Sequence, residues 1–234
     1  MAVPWFSYPG LQQVFSIGGI MSKGIFISLE GPDGAGKTTQ IGYIREYFEA
    51  KGKEVLITRE PGGTAISEKL RDILLDKANM EMADTTEMLI YAAARAQLVA
   101  QVIKPALDQG KIVISDRFVD SSIAYQGFGR DLGDQVRIVN LSATAGLEPD
   151  LTIFIDIDPE KGRARIGKES LDRLEQEKAD FHRKVYEGYK QICESCPTRI
   201  MVIDGDRTKE EVRDNITDIL DTFFGGLLGS DSSK

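Results

Sequence analysis

Gly31-Pro32-Asp33-Gly34-Ala35-Gly36-Lys37-Thr38 decides the reading of this chain. It follows the apolar run Ile25–Leu29 and opens a stretch carrying Ile41, Ile44, Tyr47 and Phe48 at helical spacing. The octapeptide fits G-x-x-x-x-G-K-[ST] in full, between a strand and a helix, where the motif has physical meaning. Its glycines let successive backbone N–H groups turn inward on a phosphate, and the helix that follows adds its positive N-terminal end. Gly31, Pro32, Asp33, Gly34, Ala35, Gly36, Lys37 and Thr38 are therefore expected to cradle a nucleoside triphosphate. Lys37 would act catalytically on the β- and γ-phosphates, and the Thr38 hydroxyl would sit on Mg²⁺.

Working outward, the runs Val55–Thr58, Ile112–Ser115, Leu151–Ile155 and Ile200–Ile203 share the β-branched or aromatic character of Ile25–Leu29 and, like it, lack a hydrophilic face. Strands covered on both faces read this way. Helical patterns lie between them, near 37–51, 66–76, 84–108, 134–145, 173–194 and 208–223. Alternating strands and helices predict an α/β fold with a five-stranded parallel sheet and helices on both faces. Residues 23–224 are expected to form one domain. Gly225–Lys234 reads as a flexible tail. Met1–Ser22 carries no charge but is broken by Pro4, Pro9 and Gly18-Gly19. It lacks the basic start of a signal peptide and the unbroken apolar length of a span, so it reads as an extension outside the core.

The composition narrows the function. A net charge of −8 over 234 residues argues against general nucleic-acid binding, which needs a basic face. Two cysteines exclude a disulfide scaffold, and the expected compartment is the cytoplasm, with no membrane partner. Cys193-x-x-Cys196 lies at a helix C-terminal end with His182 as the only histidine, so it reads as two incidental thiols, and His182 as a helix-surface residue. Phe223, Phe224, Leu227 and Leu228 are expected to cover the core or a subunit contact.

Further motifs fix the class of triphosphate user. Asp116 closes an apolar strand on the edge where ligands sit in open α/β sheets, a place for a metal-supporting carboxylate. Asn79, Asn140 and Asn215 are followed by Met, Leu and Ile, so the guanine-reading N-K-x-D motif is absent. A kinase also needs a basic flap and an acceptor site. Lys161–Lys168 supplies Lys161, Arg163, Arg165 and Lys168, with Gly162 and Gly167 as possible hinges, for closing over the phosphates. Tyr91 and Arg95 share one helix face, an arrangement suited to a nucleobase. Arg117, Ser121, Ser122, Tyr125 and Gln126 add a cation and short polar groups.

Together these segments resemble the thymidylate kinase family, from about Ile25 to Phe223. The resemblance rests on Asp116-Arg117-Phe118-Val119-Asp120-Ser121-Ser122-Ile123-Ala124-Tyr125-Gln126, on Arg59-Glu60-Pro61-Gly62-Gly63-Thr64, and on Leu171-Asp172-Arg173-Leu174-Glu175. It implies a P-loop nucleoside-phosphate kinase fold, ATP as donor, Mg²⁺ as cofactor, dTMP as acceptor and a homodimer. It also implies a role for each matching residue. Asp33 would contact the acceptor's 3′-hydroxyl and count among the catalytic residues. Tyr91 would stack on thymine, Arg95 would bond its exocyclic oxygen, and Ser122 and Gln126 would face the base edge. Tyr125 would crowd the sugar 2′ position, Arg117 and Arg59 would hold the acceptor phosphate, and Asp116 would support Mg²⁺. Asp204-Gly205-Asp206 resembles the loop bordering adenine. Because Gly34 occupies a position where some members carry arginine, Arg163 and Arg165 in a lid near 160–172 become the expected transition-state contacts.

Overall fold

The computed structural model describes residues 24–166 and 172–228, with side chains through 225. Met1–Ser22, Gly167, Lys168 and the end of the tail lie outside the described residues. Five parallel strands form the sheet: β1 Ile25–Glu30, β2 Val55–Arg59, β3 Ile112–Asp116, β4 Leu151–Asp156 and β5 Ile200–Asp204, in the order β2-β3-β1-β4-β5. Each strand runs one residue beyond its apolar run, through Glu30, Arg59, Asp116, Asp156 or Asp204. Charged side chains can end these strands because the carboxyl edge opens onto the functional cleft. The two outer strands are not covered on both faces as expected. Ile57 on β2 and Val202 on β5 are 42% and 49% exposed, so the helix layers do not fully cover the faces of the two edge strands.

Alternation along the strands sorts the core into layers. Ile27, Leu29, Ile112, Ile114, Ile153 and Ile155 face Ile41, Ile44 and Phe48 of α1 (Lys37–Glu49) and Val212, Ile216 and Leu220 of α9 (Lys209–Leu228). Phe26 and Val113 face the other way, against Leu98, Val99 and Ile103. These belong to one long helix: α3 (Asp84–Leu98), a π-helical turn (Val99–Ile103) and α4 (Lys104–Asp108). Pro105 explains the wide turn, since it donates no N–H and its ring pushes away the preceding carbonyls. The C-terminal helix continues through Gly225 to Leu228, past the expected start of a flexible tail. Phe224 is buried against Phe48, as expected of a core cover.

Three elements differ from the sequence pattern. Val119–Ser122 (α5) and a π-helical segment Ile123–Gly129 occupy a stretch that two glycines disguise as a loop. Helix α8 begins at Ala179, later than expected, because residues 172–177 form a tight turn capped by Asp172, which accepts from the N–H groups of Leu174 and Glu175. The flap is in part helix α7 (Pro159–Ile166). Helices α2 (Ala65–Leu75) and α6 (Gln135–Thr144) flank α3.

Candidate active site

Glycine geometry builds the phosphate end. Gly34 and Gly36 have φ of 76° and 91°, the left-handed region that side chains disfavour. Gly36 then hands the chain to α1, whose first residues are Lys37 and Thr38. Lys37 is buried and its Nζ donates to the carbonyls of Gly31 (3.1 Å) and Pro32 (3.0 Å). Burial, helped by the nearby Arg117 charge, pulls its pKa down to about 8. Thr38 is exposed and lines the cleft together with Asp116.

Helix α7 sits directly on this loop. A Cβ at Gly34 would run into the carbonyl of Gly162, and a Cβ at Gly162 into the carbonyl of Asp33. Gly162 is thus a buried packing contact inside α7 rather than a loose hinge, and an arginine at position 34 could not fit against it. The two arginines of α7 diverge. Arg165 lines the main cleft and donates to Gly205 O at 3.2 Å, in the Asp204-Gly205-Asp206 turn. Arg163 lines an adjoining cavity of about 190 Å³ between α7 and α8, with His182, Arg183 and Tyr186, which shares Asp33, Tyr125, Ile166 and Glu175 with the main cleft. His182 is half-buried, not a surface residue. Its Nε2 is enclosed without a hydrogen-bond partner, and burial lowers its pKa. Cys193 is buried, which pushes its thiol up to about 12 and leaves it inert at neutral pH.

Arg117 joins the phosphate end to the acceptor end. Its φ of 70° swings the guanidinium over the P-loop, where Nη2 donates to Asp33 Oδ1 at 2.5 Å and Nη1 to Gly31 O at 3.1 Å. Burial raises the Asp33 pKa, but the charges of Arg117 and Lys37 outweigh it and hold the carboxyl below its usual range. Tyr125 packs its ring under Arg117, and its hydroxyl lies 3.4 Å from Asp33. Behind Arg117, buried Glu30 accepts from Phe118 N (2.7 Å), Ser121 Oγ (2.5 Å) and Tyr189 OH (3.1 Å). Burial and the neighbouring Asp120 charge raise its pKa to about 7.

The acceptor end is lined by Tyr91, Arg95, Ser122 and Gln126, with Leu174 and Glu175 from the turn before α8. Tyr91 is part-exposed into the cleft. Arg95 is 2% exposed and differs most from expectation. It donates to Glu60 Oε2, Ser122 Oγ (2.9 Å), Asn140 Oδ1 and Phe118 O (3.0 Å), so protein oxygens take up four of its five N–H groups and Glu60 pairs its charge. Arg59 pairs with Glu68 and is half-exposed. Arg71, which no sequence motif marks, lines the cleft and donates to Pro61 O at 2.9 Å.

Both ends open into one cleft of about 460 Å³, with Lys37 and Thr38 at one limit and Tyr91, Ser122 and Gln126 at the other. A P-loop at the carboxyl edge of a parallel sheet, joined to a second compartment and crossed by a basic helix, defines a P-loop phosphotransferase. The family model for thymidylate kinase matches residues 29–216. The chain is 52% identical over 203 residues to the thymidylate kinase of Thermoanaerobacter sp. (strain X514), covering 86% of this chain and all of that one. It is 54% identical over 195 residues to that of Lactobacillus delbrueckii subsp. bulgaricus, covering 81% and 92%. The crystal structure of thymidylate kinase from Ehrlichia chaffeensis superposes with a TM-score of 0.68 at 34% identity, covering 84% of this chain and 98% of that one. The chain belongs to the thymidylate kinase family.

Proposed function

We propose that the protein transfers the γ-phosphoryl group of Mg-ATP in line to the phosphate of dTMP, giving dTDP and ADP. The observation that carries this reading is that one cleft holds the P-loop at one end and Tyr91, Ser122 and Gln126, an aromatic ring with polar neighbours, at the other. Turnover then needs alignment and charge stabilisation rather than a general base, because the acceptor is already a phosphate oxyanion.

The backbone N–H groups of Gly34 to Lys37 hold the β-phosphate, and Lys37 leaves the loop carbonyls for the transferring group. Arg165 and, on further closure of α7, Arg163 neutralise the charge that spreads over that group and exclude water. Arg117 and Arg71 hold the acceptor phosphate, with Arg59 farther out. Asp33 receives the 3′-hydroxyl, and Tyr125 leaves no room for a 2′-hydroxyl. Tyr91 stacks on thymine while Arg95 and Ser122 face its exocyclic oxygen.

Thr38 and Asp116 are oxygen donors on the same cleft and suit Mg²⁺, which takes one or two protein oxygens and completes its shell with phosphates and water. Bound there, the ion would supply positive charge against the negative charge that develops on the transferring phosphoryl group. Among the described residues no helix is long and apolar enough to cross a membrane, and the two free thiols suit a reducing cytoplasm. A homodimer is proposed through α2, α3 and α6, adjoining helices that expose Ile66, Ile73, Leu89, Ile138 and Leu141.

ADP release from Mg-ATP with dTMP, dUMP, UMP, AMP or no acceptor tests the reading. Turnover that depends on dTMP, with dUMP weaker and UMP and AMP near background, is expected. Release that ignores the acceptor would replace the kinase with an ATPase switch.

A further inference from the structure

Glu87 is fully buried on α3, one turn before Tyr91, and does not itself line the cleft. Four donors converge on its two oxygens. Oε1 accepts from Gln126 Nε2 (3.0 Å) and Arg130 Nε (3.3 Å), and Oε2 from Arg130 Nη2 (3.0 Å) and Arg173 Nη2 (2.6 Å). Burial raises the carboxyl's pKa, but these hydrogen bonds outweigh it and keep the group ionised. An ionised carboxylate only accepts. The opposite flip of the Gln126 amide would set two oxygens against each other, so the NH₂ must face Glu87. The carbonyl oxygen of Gln126 is then the polar atom left for the cleft that this residue lines.

Ser122, one turn earlier on the same segment, has the complementary polarity. Its Oγ accepts from Arg95, which leaves its own proton to donate. A donor beside an acceptor matches a base edge on which a carbonyl stands next to a ring N–H. Thymine and uracil present that edge. Cytosine presents an amino group beside an unprotonated ring nitrogen, the reverse at both atoms.

We propose that Glu87 is a specificity-determining residue that never touches the acceptor: by fixing the Gln126 amide, it makes the site demand an N–H donor at the pyrimidine 3-position. The inference rests on the acceptor reading above and deepens it. The contacts of Arg130 and Arg173 brace the carboxylate, and Arg173 is itself held by the carbonyl of Leu74 at 2.7 Å.

The test measures kcat/KM for dTMP, N3-methyl-dTMP and dCMP in the wild type, Glu87→Gln and Gln126→Leu, with circular dichroism to verify folding. Sites that leave a buried polar group unpaired reject a substrate by roughly 10²-fold or more, and wild type should reject both analogues on that scale. In Glu87→Gln the new amide can donate to Gln126 and permit the flip, so the preference for dTMP over dCMP should shrink about 10-fold or more. Gln126→Leu leaves Glu87 with both arginines and should narrow the gap between dTMP and its N3-methyl form. A purely structural role would lower all three acceptors by one common factor. Wild type that phosphorylates dTMP and N3-methyl-dTMP alike would overturn the inference while leaving the kinase reading intact, as would variants with wild-type ratios. Should Glu87→Gln not fold, Glu87→Asp decides, since the shorter carboxylate draws back from Gln126 and should likewise narrow the preference for dTMP over dCMP, and a wild-type ratio there would overturn the inference. Wild type inert toward dTMP would sink the acceptor reading and this inference together.

Discussion

The phosphate end of the cleft is made from consecutive residues, Gly31 to Thr38, whose backbone does the binding. The base end is assembled from side chains on α3, α5, the π-helical segment and the turn at 172–175, brought together across most of the chain. Their electrostatics differ accordingly. At the phosphate end Lys37 and Arg117 rest on carbonyls and on Asp33, contacts that an incoming phosphate can replace. At the base end Arg95–Glu60, at the cleft wall, and Glu87–Arg130–Arg173, behind it, are ion-pair networks largely shut away from solvent that fix the shape of the pocket. A mobile anion calls for exchangeable cations, and a flat base with fixed donors and acceptors calls for a rigid edge.

The contrast can be broken from either side. The largest expected effect is on stability at the base end. Arg95→Met removes the partner of buried Glu60 and should cost about 3–5 kcal/mol in denaturant melts; a loss below about 1 kcal/mol would mean that the network is not dry. At the phosphate end Lys37→Ala should leave the melting curve nearly unchanged yet lower kcat roughly 10²- to 10³-fold. Steady-state rates would show whether both kcat and stability fall instead.

Arg165→Ala should lower kcat roughly 10²-fold, and Arg163→Ala less, because only Arg165 lines the main cleft. Equal losses would mean that α7 turns on closing, and unchanged turnover in Arg165→Ala would move the role to Arg163 or Lys168. Asp33→Ala, which removes a partner of Arg117 facing the acceptor, should raise KM for dTMP more than for ATP; equal rises would reduce Asp33 to a support of the loop.

The smallest effect is a proton. With its pKa lowered to about 8, Lys37 is partly neutral near pH 8, and a bound triphosphate should restore its charge. Nucleotide binding should therefore take up a fraction of a proton near pH 8 and almost none near pH 6, where Lys37 is already charged. Calorimetry in buffers of different ionisation enthalpy measures this, and proton release near pH 8 would contradict it.

The same contrast explains what could be read in advance. The sheet and the P-loop were legible because local rules govern them: short β-branched runs without a hydrophilic face, helical spacing between them, and a glycine-rich motif at the strand-to-helix turn. The base end was legible where residues fell inside a contiguous motif, as Ser122, Tyr125 and Gln126 do, or shared a helix face, as Tyr91 and Arg95 do. Glu87, Arg71 and Arg130 look like ordinary helix or turn charges, since no local pattern marks the partners or the cleft that they meet, and Arg173, although inside a motif, shows no sign there of its tie to Glu87. One signal was available for Glu87. Tyr91 and Arg95 mark a helix face, and a step of four residues back along it reaches Glu87. The π-helical segment stayed hidden because Gly127 and Gly129 suggest a loop. Gly129 is instead small so that Phe181 and Val185 of α8 can press against it.

The most direct measurement of whether the two ends serve one reaction is the fate of γ-labelled phosphate from ATP. With dTMP present, the label should appear in the terminal phosphate of dTDP, with little inorganic phosphate formed and little turnover when dTMP is withheld. Label released as inorganic phosphate at the same rate with and without dTMP would contradict the account, because the base end would then play no part in the transfer.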